Sequence, residues 1–107
     1  MKPWIGVDLD GTLAQYSHYQ GPNHIGAPIR KMVVRVLDHL NAGQEVRIFT
    51  ARAAGRDPAV IKLIEDWCQE HLGRVIPITN EKDYGMILLY DDRALQVVPN
   101  TGEIVGE

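Results

Sequence analysis

Asp8 and Asp10 stand one residue apart behind the apolar run Trp4-Ile5-Gly6-Val7, with Gly11 and Thr12 directly after them. Such a run reads as a short buried strand, and the polarity changes abruptly where it stops. Carboxylates this close repel each other, and the repulsion raises a pKa unless a cation intervenes. An oxygen-rich cluster suits magnesium. The plainer alternative is a surface turn in which Asp-Gly follows a strand. It accounts for Asp10-Gly11 but not for Asp8 or the buried run before it. A second acidic pair, Asp91-Asp92, follows the continuous apolar run Met86–Tyr90, and Thr50 follows the run Glu45–Phe49.

Four carboxylates at strand ends, with few basic groups alongside, ask for a hard cation. Magnesium takes oxygen ligands octahedrally, keeps several waters and shares its remaining positions with phosphate. The reaction class expected of such a cluster is phosphoryl transfer, helped by positioning and charge neutralisation. One carboxylate can attack phosphorus and form an aspartyl-phosphate. Another, two residues on, can protonate the leaving oxygen and then activate water. Thr50 can hydrogen-bond a phosphoryl oxygen, and Lys82 can offset developing charge. Arg52 suits either a clamp on phosphate or substrate backbone or a salt bridge to an acidic neighbour. Arg93 suits a counter-ion for the acidic groups.

The elements that must hold these residues follow from periodicity. Residues 14–28 have no period and read as a loop long enough to suspect function. Its Tyr16 and Tyr19 are expected to pack against the body, with stacking on a base as the alternative. His18 and His24 read as exposed loop histidines. Ile29, Met32, Val33, Val36, Leu37 and Leu40 mark an amphipathic helix, with Pro28 at its start and Gly43 at its left-handed exit. The run 45–49 is a second strand, 53–56 a loop, and Asp57-Pro58 the cap of a second helix. That helix buries Val60, Ile61, Ile64, Trp67, Cys68 and Leu72 and ends at Gly73. Residues 74–78 read as a short edge strand carrying Pro77, and 79–85 as polar loop. The run 86–90 reads as a strand buried on both faces. The tail, 94–98 and 103–105 about Pro99-Asn100-Thr101-Gly102, reads as an edge hairpin.

This order implies one α/β domain over residues 1–107, a three-layer sandwich around a mainly parallel sheet with a short C-terminal hairpin. Right-handed crossovers bring the carboxyl ends of parallel strands to one rim, where open α/β sheets bind ligands. Asp8, Asp10, Thr50, Asp91 and Asp92 then share that rim. The chain's 107 residues leave room for a single core. A net charge of −3 argues against a general nucleic-acid surface but not against a local basic groove. The lone Cys68 excludes an internal disulfide. No membrane span and no signal peptide are expected, which makes the cytoplasm the default location.

Asp8-Leu9-Asp10-Gly11-Thr12 resembles the DxDGT motif of the haloacid dehalogenase (HAD) superfamily of phosphohydrolases. Ile48-Phe49-Thr50 is similar to that family's second motif, Lys82 matches the third loosely, and Tyr90-Asp91-Asp92 matches the acidic fourth. The resemblance covers nearly the whole chain in the right order. Arg47–Arg52 and Asp91-Asp92-Arg93-Ala94 look like a small HAD-type group common in phages and bacteria. The resemblance implies a HAD-like Rossmannoid fold and a Mg2+-dependent phosphomonoesterase. Asp8 would be nucleophile and metal ligand. Asp10 would be general acid/base and give its carbonyl to the metal. Thr50 and Lys82 would hold the phosphoryl group, Asp91 would ligate magnesium, and Asp92 would do so directly or through water.

The family also sorts members by inserted cap domains, and neither gap here has room for one. Capless members have open sites and tend toward bulky substrates, such as phosphorylated polymer ends or proteins, or borrow a neighbouring subunit as lid. Loop 14–28 is the one lid the chain offers, and closure over a small metabolite would help by excluding water. Polynucleotide-end, nucleotide and sugar phosphates all stay open as substrates, as do monomer and homo-oligomer. Two other functions compete. One is a phosphorylatable signalling module like a response-regulator receiver, whose aspartate follows the third strand, where this chain offers Pro77-Ile78-Thr79. The other is an idle member that binds a nucleotide or protein.

Overall fold

The computed structural model describes residues 2–107. The strands are β1 (Trp4–Val7), β2 (Glu45–Phe49), β3 (Ile78–Thr79) and β4 (Met86–Tyr90). Helix α1 (Arg30–Asn41) joins β1 to β2, and α2 (Pro58–Leu72) joins β2 to β3. The sheet order is β3-β2-β1-β4, and all three pairings are parallel. The carboxyl ends of all four strands therefore face one rim.

Both helices end, and α2 also begins, where local chemistry directs; α1 starts behind an Ile29 N-cap that makes no side-chain hydrogen bond, with Pro28 one residue before it. Helix α1 closes in a Schellman motif: the Gln44 N–H reaches the His39 carbonyl and the Gly43 N–H reaches Leu40, each at 3.0 Å. Gly43 takes φ +82°, a left-handed conformation that costs glycine nothing. Helix α2 starts with Asp57 accepting the Ala59 N–H at 2.9 Å and Pro58 in the first turn, and it stops at Gly73 with φ +79°.

The core lies on one face of the sheet. Ile5, Val7, Val46 and Ile48 point toward it and pack against Val33 and Val36 of α1 and Ile64, Trp67, Cys68 and Leu72 of α2. The period-2 alternation sends Trp4, Gly6, Glu45, Arg47 and Phe49 to the other face. That face carries no helix among the described residues. Trp4 covers part of it, its indole N–H donating to Asp83 at 2.8 Å and the Arg47 guanidinium lying 4.4 Å above its ring. Gly6 leaves room for this packing, because a Cβ there would come within 2.9 Å of Met86 Cε.

Several expectations are corrected here. The sandwich has two layers rather than three, because the six residues between β3 and β4 are too few and too polar to form a covering helix. β4 is an edge strand and not buried on both faces: Ile87 is 63% and Leu88 44% exposed. A register shift at its start puts Ile87 out of the pairing, since Trp4 pairs with Met86 and Ile5 already with Leu88. β3 is only two residues long. Pro77 has no N–H for the ladder, so before Ile78 only its carbonyl takes part, accepting from Ile48 at 2.8 Å. The loop expected over 53–56 is part of a 3₁₀ segment, Ala51–Arg56, broken at Gly55 with φ +79°. The C-terminal hairpin exists as a single antiparallel bridge, Val97 to Ile104, outside the sheet.

No helix of the described residues is long and apolar enough to cross a membrane. Cys68 is fully buried in the core, and burial pushes its thiol up to about 11. An unreactive thiol of this kind reports on opening of the domain. In native buffer a maleimide reagent is expected to leave Cys68 unmodified, with alkylation following the denaturant unfolding curve; rapid native labelling would contradict this packing.

Candidate active site

The site begins where β1 stops. The Asp8 N–H still bonds the Tyr90 carbonyl at 2.9 Å, so Asp8 and Asp91 emerge side by side from neighbouring strands. The chain then coils tightly. The N–H groups of Thr12, Leu13 and Ala14 all aim at the Leu9 carbonyl, at 3.3, 3.0 and 2.8 Å, and Leu9 and Leu13 are driven into the core. Gly11 makes this turn possible, with φ +89°. It also makes room for Asp92: a Cβ on Gly11 would lie 2.6 Å from the Asp92 Oδ2. Thr12 fixes that carboxylate from the other side. Its hydroxyl donates to Asp92 Oδ1 and accepts the Asp92 N–H, both at 3.0 Å.

Asp8, Asp91 and Asp92 each offer a carboxylate oxygen, and these three atoms lie within 4.8 Å of one another. The crowding shows in the acid–base behaviour. Desolvation, the largest cause, pushes Asp8 up to about 7, and a hydrogen bond to Asp92 and the charges of Asp91 and Asp92 add to it. The Leu9 N–H works against the shift without reversing it. Desolvation also pushes Asp92 upward, but hydrogen bonds from Asp8 and Thr12 outweigh it and hold Asp92 below the usual carboxylate range. A cation at this cluster would displace the proton that Asp8 keeps. An oxygen-only donor set with uncompensated charge fits a hard divalent ion such as Mg2+.

Asp10 faces a different partner. Its carboxylate takes two hydrogen bonds from Arg52, Nε to Oδ2 at 2.7 Å and an Nη to Oδ1 at 2.9 Å. The same guanidinium donates to the carbonyls of His24 at 2.7 Å and Pro22 at 3.5 Å. Arg52 is positioned by Thr50, whose side chain caps the 3₁₀ segment by accepting the Arg52 N–H at 3.2 Å. Of the two roles open to Arg52 in the sequence, the salt bridge to an acidic neighbour is the one formed.

Loop 14–28 is pinned at its base. Ala14 bridges Pro28, the Gln15 N–H reaches Ala27 at 2.8 Å, and the Trp67 indole donates to the Gly26 carbonyl at 3.0 Å. Arg52 secures its middle. The loop therefore stands as one wall of a cleft of about 580 Å³, lined also by Asp8, Asp10, Asp91, Asp92, Arg52 and Arg93. Tyr16 and Tyr19 line this cleft and are 45% and 70% exposed, rather than packing into the body.

The structure thus brings together Asp8, Asp10, Arg52, Asp91 and Asp92 of the residues expected from sequence. Thr50 is buried behind them and is not part of the cleft lining. Lys82 is not brought to the cleft: it is exposed, in the loop whose Asp83 and Gly85 bond to Trp4 at the amino end of β1. Thr12 was missed as a site residue. Its place two residues after Asp10 was the available signal, but its partner lies 80 positions away. No protein-family model, curated protein or solved structure matches the chain.

Two predictions follow from this geometry. In metal-free protein, folded Asp8 keeps its proton up to about pH 7, whereas the unfolded chain loses it near the ordinary 3.8. Stability therefore falls as pH rises through that window. Asp8→Asn keeps a donor toward Asp92 without the charge. Above pH 7 it is expected to be more stable than wild type by on the order of 2 kcal/mol, after allowance for solvent screening. The gain should vanish below pH 4, and Mg2+ should raise the Tm of wild type but not of the variant. Denaturant curves across pH 3–9 check this; a pH-independent difference would contradict it. Gly11→Ala places a methyl group against the Asp92 carboxylate and forces a left-handed residue. It is expected to lose about 1–3 kcal/mol together with the Mg2+-dependent rise in Tm.

Proposed function

We propose that the chain is a Mg2+-dependent phosphomonoesterase of HAD type, working through an aspartyl-phosphate on Asp8. The observation that carries this reading is the convergence of Asp8, Asp91 and Asp92 at the carboxyl rim of a parallel sheet, with Asp10 lining the same cleft. The strand order and the DxDGT-like stretch are consistent with it. β3 ends in Ile78-Thr79 with no carboxylate, which removes support from a receiver-like module.

Asp8, Asp91 and Asp92 are the residues that would hold the metal. When bound, a divalent cation neutralises their charge and that of a phosphate beside them. Asp8, relieved of its proton, attacks phosphorus through a carboxylate oxygen, and the ester oxygen leaves with a proton from Asp10. Asp10 then takes a proton from water as that water attacks the phosphorus. Inorganic phosphate departs and the Asp8 carboxylate is regenerated. Proton transfer at Asp10 requires Arg52 to release one of the two oxygens it now holds, so Arg52 positions Asp10 and restrains it. Thr50 acts through Arg52, by fixing the start of the segment that carries it.

Purified protein with Mg2+ is expected to hydrolyse p-nitrophenyl phosphate, and chelation should stop the reaction. Asp8→Asn should abolish turnover, and Asp10→Asn should lower kcat by about 10²–10⁴-fold, the usual contribution of general acid–base catalysis. Turnover untouched by Asp8→Asn would overturn the assignment.

A further inference from the structure

The cleft has two chemically distinct walls. One is the acidic rim; the other is loop 14–28, which presents Tyr16, Tyr19 and Pro22. The tyrosine rings are exposed, on a loop whose backbone is held at its base and at Pro22 and His24, so the segment that carries them is kept beside the cleft. Aromatic side chains beside a phosphate site give a flat ring somewhere to stack. The volume of about 580 Å³ sits within the roughly 300–1,000 Å³ of small-molecule sites.

Charge narrows the ligand further. Two guanidinium groups line the cleft, and Arg52 is committed to Asp10 and to loop carbonyls. Arg93 is left as the one lining cation whose side chain has no hydrogen-bond or ion-pair partner among the described residues. Against four lining carboxylates, a second or third phosphate would meet more repulsion than attraction. The fitting ligand carries one phosphate on the acidic side and an uncharged flat ring on the other.

We infer that Tyr16 and Tyr19 form a stacking platform that selects a nucleoside monophosphate, in preference to a sugar phosphate, a nucleoside polyphosphate or a phosphorylated polynucleotide end. This rests on the phosphomonoesterase reading for the reaction but not for the binding, and the two can be tested apart. Ribose 5-phosphate is adenosine 5′-monophosphate without its base, so the pair isolates the ring. With Mg2+, kcat/KM for adenosine 5′-monophosphate is expected to exceed that for ribose 5-phosphate at least tenfold, mainly through KM. It should also exceed the values for adenosine diphosphate and a 5′-phosphorylated oligoadenylate.

In the double variant Tyr16→Ala/Tyr19→Ala the preference for the nucleotide over the sugar phosphate should fall at least about fivefold, the lower range of base–aromatic stacking. The double Tyr→Phe variant keeps the rings and should keep the preference. Equal efficiency for the two monophosphates, a preference for the oligonucleotide, or a preference unaltered by the alanine variant would overturn the proposal. Calorimetry with Mg2+ on Asp10→Asn, which keeps Asp8, Asp91 and Asp92 and is slow in turnover, supplies the independent arm. If no phosphate is turned over, the reaction reading fails, and tighter binding of adenosine monophosphate than of ribose 5-phosphate still supports the platform. Equal binding, or none, overturns it.

Discussion

Mutual repulsion among carboxylates at one end of the sheet is the constraint that the surrounding structure is arranged to bear. Parallel pairing of β1 with β4 puts Asp8 beside Asp91 whether or not their charges agree. Asp92 could turn away into solvent, but Thr12 and the bare backbone of Gly11 hold it inward. The cost of that arrangement appears as an Asp8 that keeps its proton to about pH 7. A cluster built only for stability would scatter these groups. Keeping them together is sensible if a cation or a phosphate–cation pair completes the site.

Arg52 answers the other half of the same problem. Asp10 would be a fourth negative group at this rim, and a bidentate guanidinium takes up both its oxygens. Because the same guanidinium reaches the carbonyls of Pro22 and His24, the loop wall and the Asp10 carboxylate are mechanically joined. Displacing Arg52 from Asp10 loosens the loop, and moving the loop alters what holds Asp10. Loop position and the hydrogen bonding of Asp10 are therefore linked through one side chain.

Much of this was legible in the sequence where the signal is local. β1 and β2, the two helices, the Asp57-Pro58 start and the glycine stops follow from periodicity and capping, which are written within a few residues. Four carboxylates behind apolar runs were visible for the same reason. What escaped is what depends on distant partners. The bonds between Thr12 and Asp92 span 80 positions and those between Arg52 and Asp10 span 42. Residue type alone left Arg52 equally suited to substrate and to salt bridge. The apolar run of β4 was misleading because continuous apolarity marks a strand without marking its place, and here the strand ends the sheet. Lys82 was drawn toward the site by its motif order, whereas the loop carrying it is tied to Trp4 at the far end of β1.

The missing third layer has a consequence for the site. With both helices on one face, the other face relies on Trp4, its bond to Asp83 and the Arg47 guanidinium above it. The crossover from β3 to β4 leaves the rim at Thr79 and ends beside Trp4 on this other face, and Lys82 on it does not line the cleft. The cations that line the cleft come instead from the 3₁₀ segment, as Arg52, and from the residue after Asp92, as Arg93. In the proposed reading, a cation held by the three aspartates would supply the charge neutralisation that no lysine of the cleft lining provides.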